Sequence, residues 1–375
     1  MSMHSTVDIS SPADSIPPGD GIRRPAVSIL IPVHNAAPYL RRCLDSALGQ
    51  TFRDTEVVCV DDGSTDGSSA ILDEYAARDP RLRVIFQKNH GALHARSEAA
   101  RAALGEYFLC LDADDRFRPG IVEQAVAVAR HRAVDVVEFS VTIRRHGFFQ
   151  RRRRWYWGSP KRWLIDRVLV QPRLFANAVR CHISCLLWNK LVRREIFLAA
   201  DGDIPPAVRA TKVHFRNDTF FCTLLLNRAA SYTAISAIGC DHTIWSTSVS
   251  WLEESDFSQY LRMLDEFFLC LHTLYRLVPN SLRTSLLRFY LGVAIGYTGR
   301  WRRFLLPQRL IAWQRLMDGF QFEKRASMIF TTFFFGNGRH LKRLSKNLRR
   351  RRTLALCLRE WGRWILCRFR KAPGK

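Results

Sequence analysis

Asp112-Ala113-Asp114-Asp115 is the segment of this 375-residue chain whose side chains point most directly to chemistry. Two carboxylates one residue apart can share a hard divalent cation. Mg²⁺ or Mn²⁺ takes one or two carboxylates together with phosphate oxygens. Such a cation neutralises charge developing on a diphosphate leaving group. An isolated D-x-D carries little weight, because any Asp-rich loop can produce one. Its place directly after the apolar run Tyr107–Leu111 adds weight. Asp61-Asp62 likewise ends an apolar run, and two readings stand for it. One is a turn at Gly63 leading into a capped helix, for which Ser64, Thr65 and Asp66 suffice without further help. The other is a carboxylate that accepts the N–H of a uracil-like base with ribose nearby, and His34 beside Asn35 could pack against that base.

These residues need elements to position them. Val27–Val33 is a continuous apolar run, which fits a strand buried on both faces. Residues 37–48 carry an apolar stripe at helical spacing, with Pro38 near the start. Strands are predicted at Glu56–Val60, Leu82–Phe86, Tyr107–Leu111 and Asp135–Ile143. Helices are predicted from the Ser64 region to Ala77, over Leu93–Leu104, and from Pro119 to His131. Strand and helix therefore alternate about five times in roughly 120 residues, the pattern of a doubly wound α/β domain with a mainly parallel sheet. Such sheets bind ligands beyond the carboxyl ends of their strands. The polar groups at His34-Asn35, Asp61-Asp62 and Asp112 to Asp115 all fall there.

The formal charge is +24, from 58 Lys+Arg against 34 Asp+Glu. It is concentrated: residues 144–173 hold ten Lys/Arg and one acid, and residues 339–375 hold fourteen Lys/Arg and one acid. The rest of the chain is near neutral, which excludes a uniformly basic nucleic-acid coat. Hydrophobic residues make up 47%, which excludes wholesale disorder. Ten cysteines are present without the density of a disulfide scaffold, and Cys59 and Cys110 sit in apolar runs, so a reducing compartment is expected. Cys181, His182, Cys185, Cys240 and His242 could gather around zinc but match no paired zinc spacing, and the cysteines read as buried thiols. Residues 1–24 read as a disordered leader without a signal-peptide pattern. No stretch reaches the roughly 18 uninterrupted apolar residues of a spanning helix.

Several motifs taken together resemble family 2 glycosyltransferases of GT-A fold. They are Val27-Ser-Ile-Leu-Ile-Pro-Val-His-Asn35, the Gln50-Thr-Phe52 turn, Val60-Asp-Asp-Gly-Ser-Thr-Asp66, Gly91 to Arg96, Gly105-Glu-Tyr107 and Leu111-Asp-Ala-Asp-Asp115. Trp188-Asn-Lys-Leu191 with Arg194-Glu-Ile-Phe197 resembles the acceptor-side segment. The likeness is dense over 27–145 and patchier over 180–250. It implies a nucleotide-sugar donor, usually a UDP-sugar, a divalent metal (Mg²⁺ or Mn²⁺) and inversion at the anomeric carbon. Carried onto this chain, Pro32, His34, Asn35, Asp61, Asp62, Gly91, Arg96, Asp112 and Ala113 line the donor. Asp62 faces the base and Arg96 lies near the diphosphate. Asp112, Asp114 and Asp115 form the metal group, with Asp114 the closer ligand. Asp218, in Phe215-Arg-Asn-Asp218, falls where the family places its general base; apart from the resemblance it reads equally as a loop or helix-cap carboxylate. Three departures stand out: Asn217 where an acid is expected, His34 where an aromatic is frequent, and Ser97 after Arg96 where Asn is common. The nearest match to the Gln-x-x-Arg-Trp of processive members is Tyr297-Thr-Gly-Arg300-Trp301, so a single-addition enzyme is expected.

The expected organisation is a leader over 1–24, a GT-A domain over 25–255 and a helical basic region over 256–375. The domain comprises a nucleotide-sugar half (25–143), a basic Trp-rich insertion (144–173) and an acceptor half (174–255). Arg151 to Arg154 with Trp155, Tyr156, Trp157 and Trp163, and the tail from Leu354 to Leu366, suit an anionic membrane face, where Trp prefers the interface. Stacking on single-stranded nucleic acid or a solvated charged face are the other readings. The expectation is a cytoplasmic protein, peripheral on the inner face of the plasma membrane, with a glycan or lipid-linked acceptor from surface-polysaccharide synthesis and no nucleic-acid partner. A catalytically silent relative that binds membrane or nucleic acid through the basic windows is the competing class.

Overall fold

The computed structural model describes residues 24–145, 159–180, 182–213, 217–244, 256–287, 290 and 306–319. The expectations for the leader, for Arg151 to Trp157, for Tyr297 to Trp301 and for the basic tail fall outside these residues.

The chain opens as the apolar runs dictate: β1 (Val27–Val33), α1 (Ala37–Leu48), β2 (Thr55–Asp62), α2 (Ser68–Arg78), β3 (Leu82–Gln87), α3 (Ala92–Ala102) and β4 (Tyr107–Cys110). Then follow β5 (Arg116–Phe117), α4 (Ile121–Arg132), β6 (Val136–Arg145), β7 (Leu169–Val170), α5 (Arg173–Val179), β8 (Lys190–Arg193), α6 (Arg194–Gly202), α7 (Pro206–Arg209), α8 (Asn217–Arg228), β9 (Ser231–Ile244) and α9 (Phe257–Leu277). A further helix covers Leu306–Gly319. The strand order is β3-β2-β1-β4-β8-β6-β9-β5, with β7 on β9. β3, β2, β1 and β4 are parallel, and the long β6–β9 pairing is parallel too. β8 is inserted antiparallel between β4 and β6.

Both faces of the sheet are covered, which is why its strands read as unbroken apolar runs rather than alternating ones. Ile29, Ile31, Val57 and Leu109 point into a core shared with α1, α2 and α4. Leu30, Val58, Phe108 and Val136 point into the other core, with α3, α5, α6 and α8. Tyr260, Phe267 and Leu271 of α9 belong to that second core. The boundary drawn at 255 is thus no break in packing: α9 closes the face that α8 leaves.

The structure departs from the sequence reading in three places. β2 runs on through Asp61 and Asp62, because Val33 on one side and Phe86 and Gln87 on the other continue the ladder. β6 extends to Arg145, so residues expected to open the insertion continue a strand paired to Thr243 and Ile244. Leu169 and Val170 at the far end of that window also join the sheet, against Tyr232 and Ser231. Two-residue strands such as β5 and β7 are too short for periodicity to show.

Candidate functional site

The carboxyl ends of β1, β2 and β4 form one rim, and the predicted residues gather there. Pro32 lies within β1. Asn35 takes a left-handed conformation (φ 49°), and its Oδ1 accepts from Thr65 N at 2.8 Å while its own N–H donates to Ser64 Oγ at 3.1 Å. It ties the loop after β1 to the loop after β2. Exposed His34 is held at 2.9 Å by Asn89. Asp61 is buried and accepts from Ser64 N at 2.9 Å and from the Ser69 hydroxyl, which braces the start of α2. Asp62 is 3% exposed. Its Oδ1 accepts from Gln87 Nε2 and His90 N, both at 2.7 Å, and its Oδ2 accepts from Gly91 N at 2.8 Å. Asp62 thus shapes the 87–91 loop against β2, a role that neither reading of Asp61-Asp62 named, and it is Asp61 that serves the turn into α2. Gly91 has φ 93°, a conformation that favours glycine, and a Cβ there would lie 3.0 Å from Lys212 Cγ, so that the lysine side chain would have to give way.

Arg96, on α3, joins two parts of the chain that the sequence leaves far apart. The side chain is 6% exposed. Its Nη2 donates to Asp112 Oδ1 at 2.6 Å, and its Nη1 lies 3.0 Å from Asp218 Oδ1 and 3.1 Å from Asn217 Oδ1. Burial works against the charged guanidinium, but Asp218 and Asp112 outweigh it and hold the proton more tightly than in a free arginine. Asp218 stands in the first turn of α8. Burial, with Asp112 and Asp115 nearby, pushes its carboxyl above the usual carboxylate range against the pull of Arg96. Asn217, the departure from the expected acid, thus serves as a neutral partner of the same guanidinium.

Asp112, Ala113, Asp114 and Asp115 form the turn after β4, and Arg42 holds it by a 2.7 Å bond to the Asp114 carbonyl. Ala113 is buried. No side chain among the described residues bonds to the Asp114 carboxylate, though its own backbone amide and nearby His242 favour its charged form. Burial, then Asp115 and Asp112, push its pKa up to about 7. Asp115 is fully buried and turned inward, where Thr243 N donates to it at 3.0 Å and His242 Nδ1 lies at 2.8 Å. Burial alone would neutralise His242, but Asp115, with Asp114 and Asp112 behind it, raises the imidazole pKa to about 9. Its ring stacks on Trp188 with centroids 4.8 Å apart. The sequence offered His242 only as an improbable zinc ligand. The usable signal was a His two residues beyond a buried Cys240 in a strand, which places it at a strand end without saying near what.

Among the described residues, no group of three or more His, Cys, Asp and Glu side chains is arranged to hold a metal alone. A divalent cation here would have to complete its shell with oxygens of a ligand, as Mg²⁺ commonly does with one or two carboxylates and phosphates. The hard-to-ionise Asp114 beside Asp112 fits that arrangement. Asp115, already engaged by His242 and Thr243, does not add to it.

Ser97, where Asn was the commoner residue, points away from the rim to Asp201 and the Leu93 carbonyl. Asn89, Gln87 and His242 are rim residues that sequence reasoning did not assign to the site, and Trp188 it placed only in the acceptor-side segment.

Residues 28–197 match the family model described as glycosyl transferase family 2. The glycosyltransferase EpsJ of Bacillus subtilis is 34% identical over 182 residues, covering 47% of this chain and 50% of that protein. Chondroitin synthase of Escherichia coli is 48% identical over 101 residues, covering 27% of this chain and 15% of that protein. The chain thus spans about half or less of the length of these relatives. Among solved structures, residues 1–349 of S. aureus TarS in complex with UDP superpose with a TM-score of 0.58 at 18% identity, over 86% of this chain and 89% of that one. At that identity the likeness is one of fold.

Proposed function

We propose, from the premise that residues 28–197 make this chain a member of glycosyl transferase family 2, that it transfers a sugar from a nucleotide-sugar to a hydroxyl of a glycan or lipid-linked acceptor in polysaccharide synthesis, with inversion. The observation that carries the reading is the Arg96 bridge, which gathers Asp112 and Asp218 at one rim from three separate elements. The TarS structures with UDP and with UDP-GlcNAc make a UDP-sugar the first donor to test.

In this reading the base lies by the loop that Asp62 and Gly91 shape, next to His34. Arg96 supplies fixed positive charge where the diphosphate departs, in a buried setting that strengthens it. Asp218 receives the proton of the acceptor hydroxyl as that oxygen bonds to the sugar C1 and the bond from C1 to the diphosphate breaks. Asp112 and Asp114 would hold Mg²⁺ or Mn²⁺, which when bound supplies Lewis-acid neutralisation of the diphosphate. His242 and Asp115 keep the turn that presents these carboxylates in one position. The chemistry occupies the α/β part; residues 144–173 and the basic tail serve attachment to the inner face of the plasma membrane. No helix among the described residues is long and apolar enough to cross a membrane.

The test is a nucleotide-sugar panel with the purified chain, with release of nucleoside diphosphate as readout, with and without acceptor and divalent metal. Turnover should need the metal, and Asp114→Asn should weaken binding of UDP with Mn²⁺. If no nucleotide binds with any divalent metal, the enzyme reading fails. Full turnover in Asp218→Asn would remove Asp218 as the base. Flotation with anionic vesicles should exceed that with neutral ones; equal recovery would refute electrostatic attachment.

A further inference from the structure

A second polar site lies at the opposite rim of the sheet. β1 is seven residues long, so its start is about 20 Å from the end that carries the carboxylates. At the amino-terminal ends of β1 and β4, where β8 also ends, there is a cavity of about 510 Å³. That is enough for a small organic ligand. Pro25, Leu104 and Leu198 supply apolar wall, and four arginines, Arg24, Arg130, Arg193 and Arg194, line it together with three acids, Asp54, Glu106 and Glu195.

The arginines divide into two kinds. Arg130 is paired with Glu106 at 2.8 Å. Arg193 is shared among Asp135 at 3.3 Å and Glu106 and Glu195 at 3.7 Å, and its guanidinium lies over the Tyr107 ring. The cavity's glutamates are therefore already engaged. Arg24 and Arg194 have no carboxylate partner among the described residues. The Nε of Arg194 is in addition buried without an acceptor. That Nε has no surface facing the cavity, so the donors open to an occupant are the remaining guanidinium N–H groups of half-buried Arg194 and those of exposed Arg24. Guanidinium groups are matched by phosphate and carboxylate oxygens, and two of them converging on a partly apolar cavity suit a phosphate on an organic body.

We infer that this cavity is an oxyanion site for a phosphate group, with Arg24 and Arg194 as its free cations. Two sources supply that chemistry: a soluble phosphorylated molecule or the headgroup of an anionic lipid. The site goes beyond the proposed transfer reaction and stands or falls independently of it.

The probe is inorganic phosphate, titrated calorimetrically into the full chain at constant ionic strength set with chloride. Saturable binding with a Kd on the order of 1 mM is expected. Kd should weaken about tenfold in Arg194→Gln and in Arg24→Gln, while Arg194→Lys keeps part of the affinity. Arg24 is exposed, so Arg24→Gln keeps the test available if Arg194→Gln fails to fold. No saturable binding, or an unchanged Kd in both Gln variants, would overturn the site. Vesicles distinguish the sources. If Arg24→Gln and Arg194→Gln lose binding to phosphatidylglycerol vesicles and free phosphate displaces the wild type, the occupant is a lipid headgroup. If vesicle binding ignores both arginines while phosphate binding depends on them, the occupant is a soluble anion.

Discussion

Replacing Asp114 by Asn should stabilise the metal-free protein, by an amount that depends on pH in a definite way. Asp114 ordinarily would ionise near 3.8 and here does so at about 7, because it is buried beside Asp115 and Asp112. The folded chain therefore keeps this proton to higher pH than the unfolded chain. Between about pH 4 and pH 7 the native state binds more protons, so stability falls as pH rises through that window and is level above it. At 1.36 kcal/mol per pH unit, the penalty is about 1.6 kcal/mol at pH 5 and at most about 4 kcal/mol above pH 7. Part of the side chain reaches solvent, so screening brings the real figure below that limit. Asn has nearly the same shape and no charge to confine. The assay is urea unfolding of both proteins with a chelator at pH 4, 5, 6, 7 and 8. The variant's advantage should be near zero at pH 4, grow to pH 7 and then level off. With Mn²⁺ and UDP the order should reverse, because a bound cation favours the ionised carboxylate and the ligand stabilises only the form that binds it. A variant no more stable than wild type at pH 8 in chelator would show that the carboxylates do not repel as the geometry requires.

Three further outcomes follow from the same structure. His242→Gln leaves buried Asp115 without its cation and should cost about 3–5 kcal/mol; in the wild type this support is complete below about pH 6.5 and is lost as pH rises through about 9, so denaturation midpoints that climb over that range would refute it. Gly91→Ala meets both the positive φ and Lys212 Cγ, and should lower stability by about 1–3 kcal/mol and weaken UDP binding, measured by thermal melts and titration. Lys190→Met strands the fully buried Glu138, 3.2 Å from the ammonium, and should cost about 3–5 kcal/mol, much of it recovered in Lys190→Met/Glu138→Leu; no recovery would mean that the pair is needed for more than mutual neutralisation.

The amino-terminal half was legible for a simple reason. A strand buried on both faces must be continuously apolar, so each run has a visible end, and the first polar residue after it must lie on the carboxyl rim. His34, Asp61 and Asp112 could be placed that way without a structure, as could the helices between them. The role of Asp62 was less legible. Its carboxylate meets Gln87 Nε2, His90 N and Gly91 N, and such bonds depend on the path of a loop that has no periodicity.

What lies beyond β4 depends on tertiary structure. Nothing in the pattern of Lys190–Arg193 says that it enters antiparallel between β4 and β6, or that Leu169–Val170 joins β9, since strands this short carry no register signal. That insertion sets Trp188 against His242, and the pairing of β5 with β9, Arg116 opposite Asp241, carries His242 to Asp115, 127 residues away in sequence. It also leaves α8 beside α3, where Asp218 and Asn217 meet Arg96. The sequence by itself determined that His34, Asp61 and Asp112 stand on the rim, because burial periodicity is a local property of the chain. Only the tertiary structure decided which charges face one another, and so which carboxylate is bridged, which is neutralised and which is left to repel. Electrostatic energy depends on separation and burial in space, and neither is written in residue order.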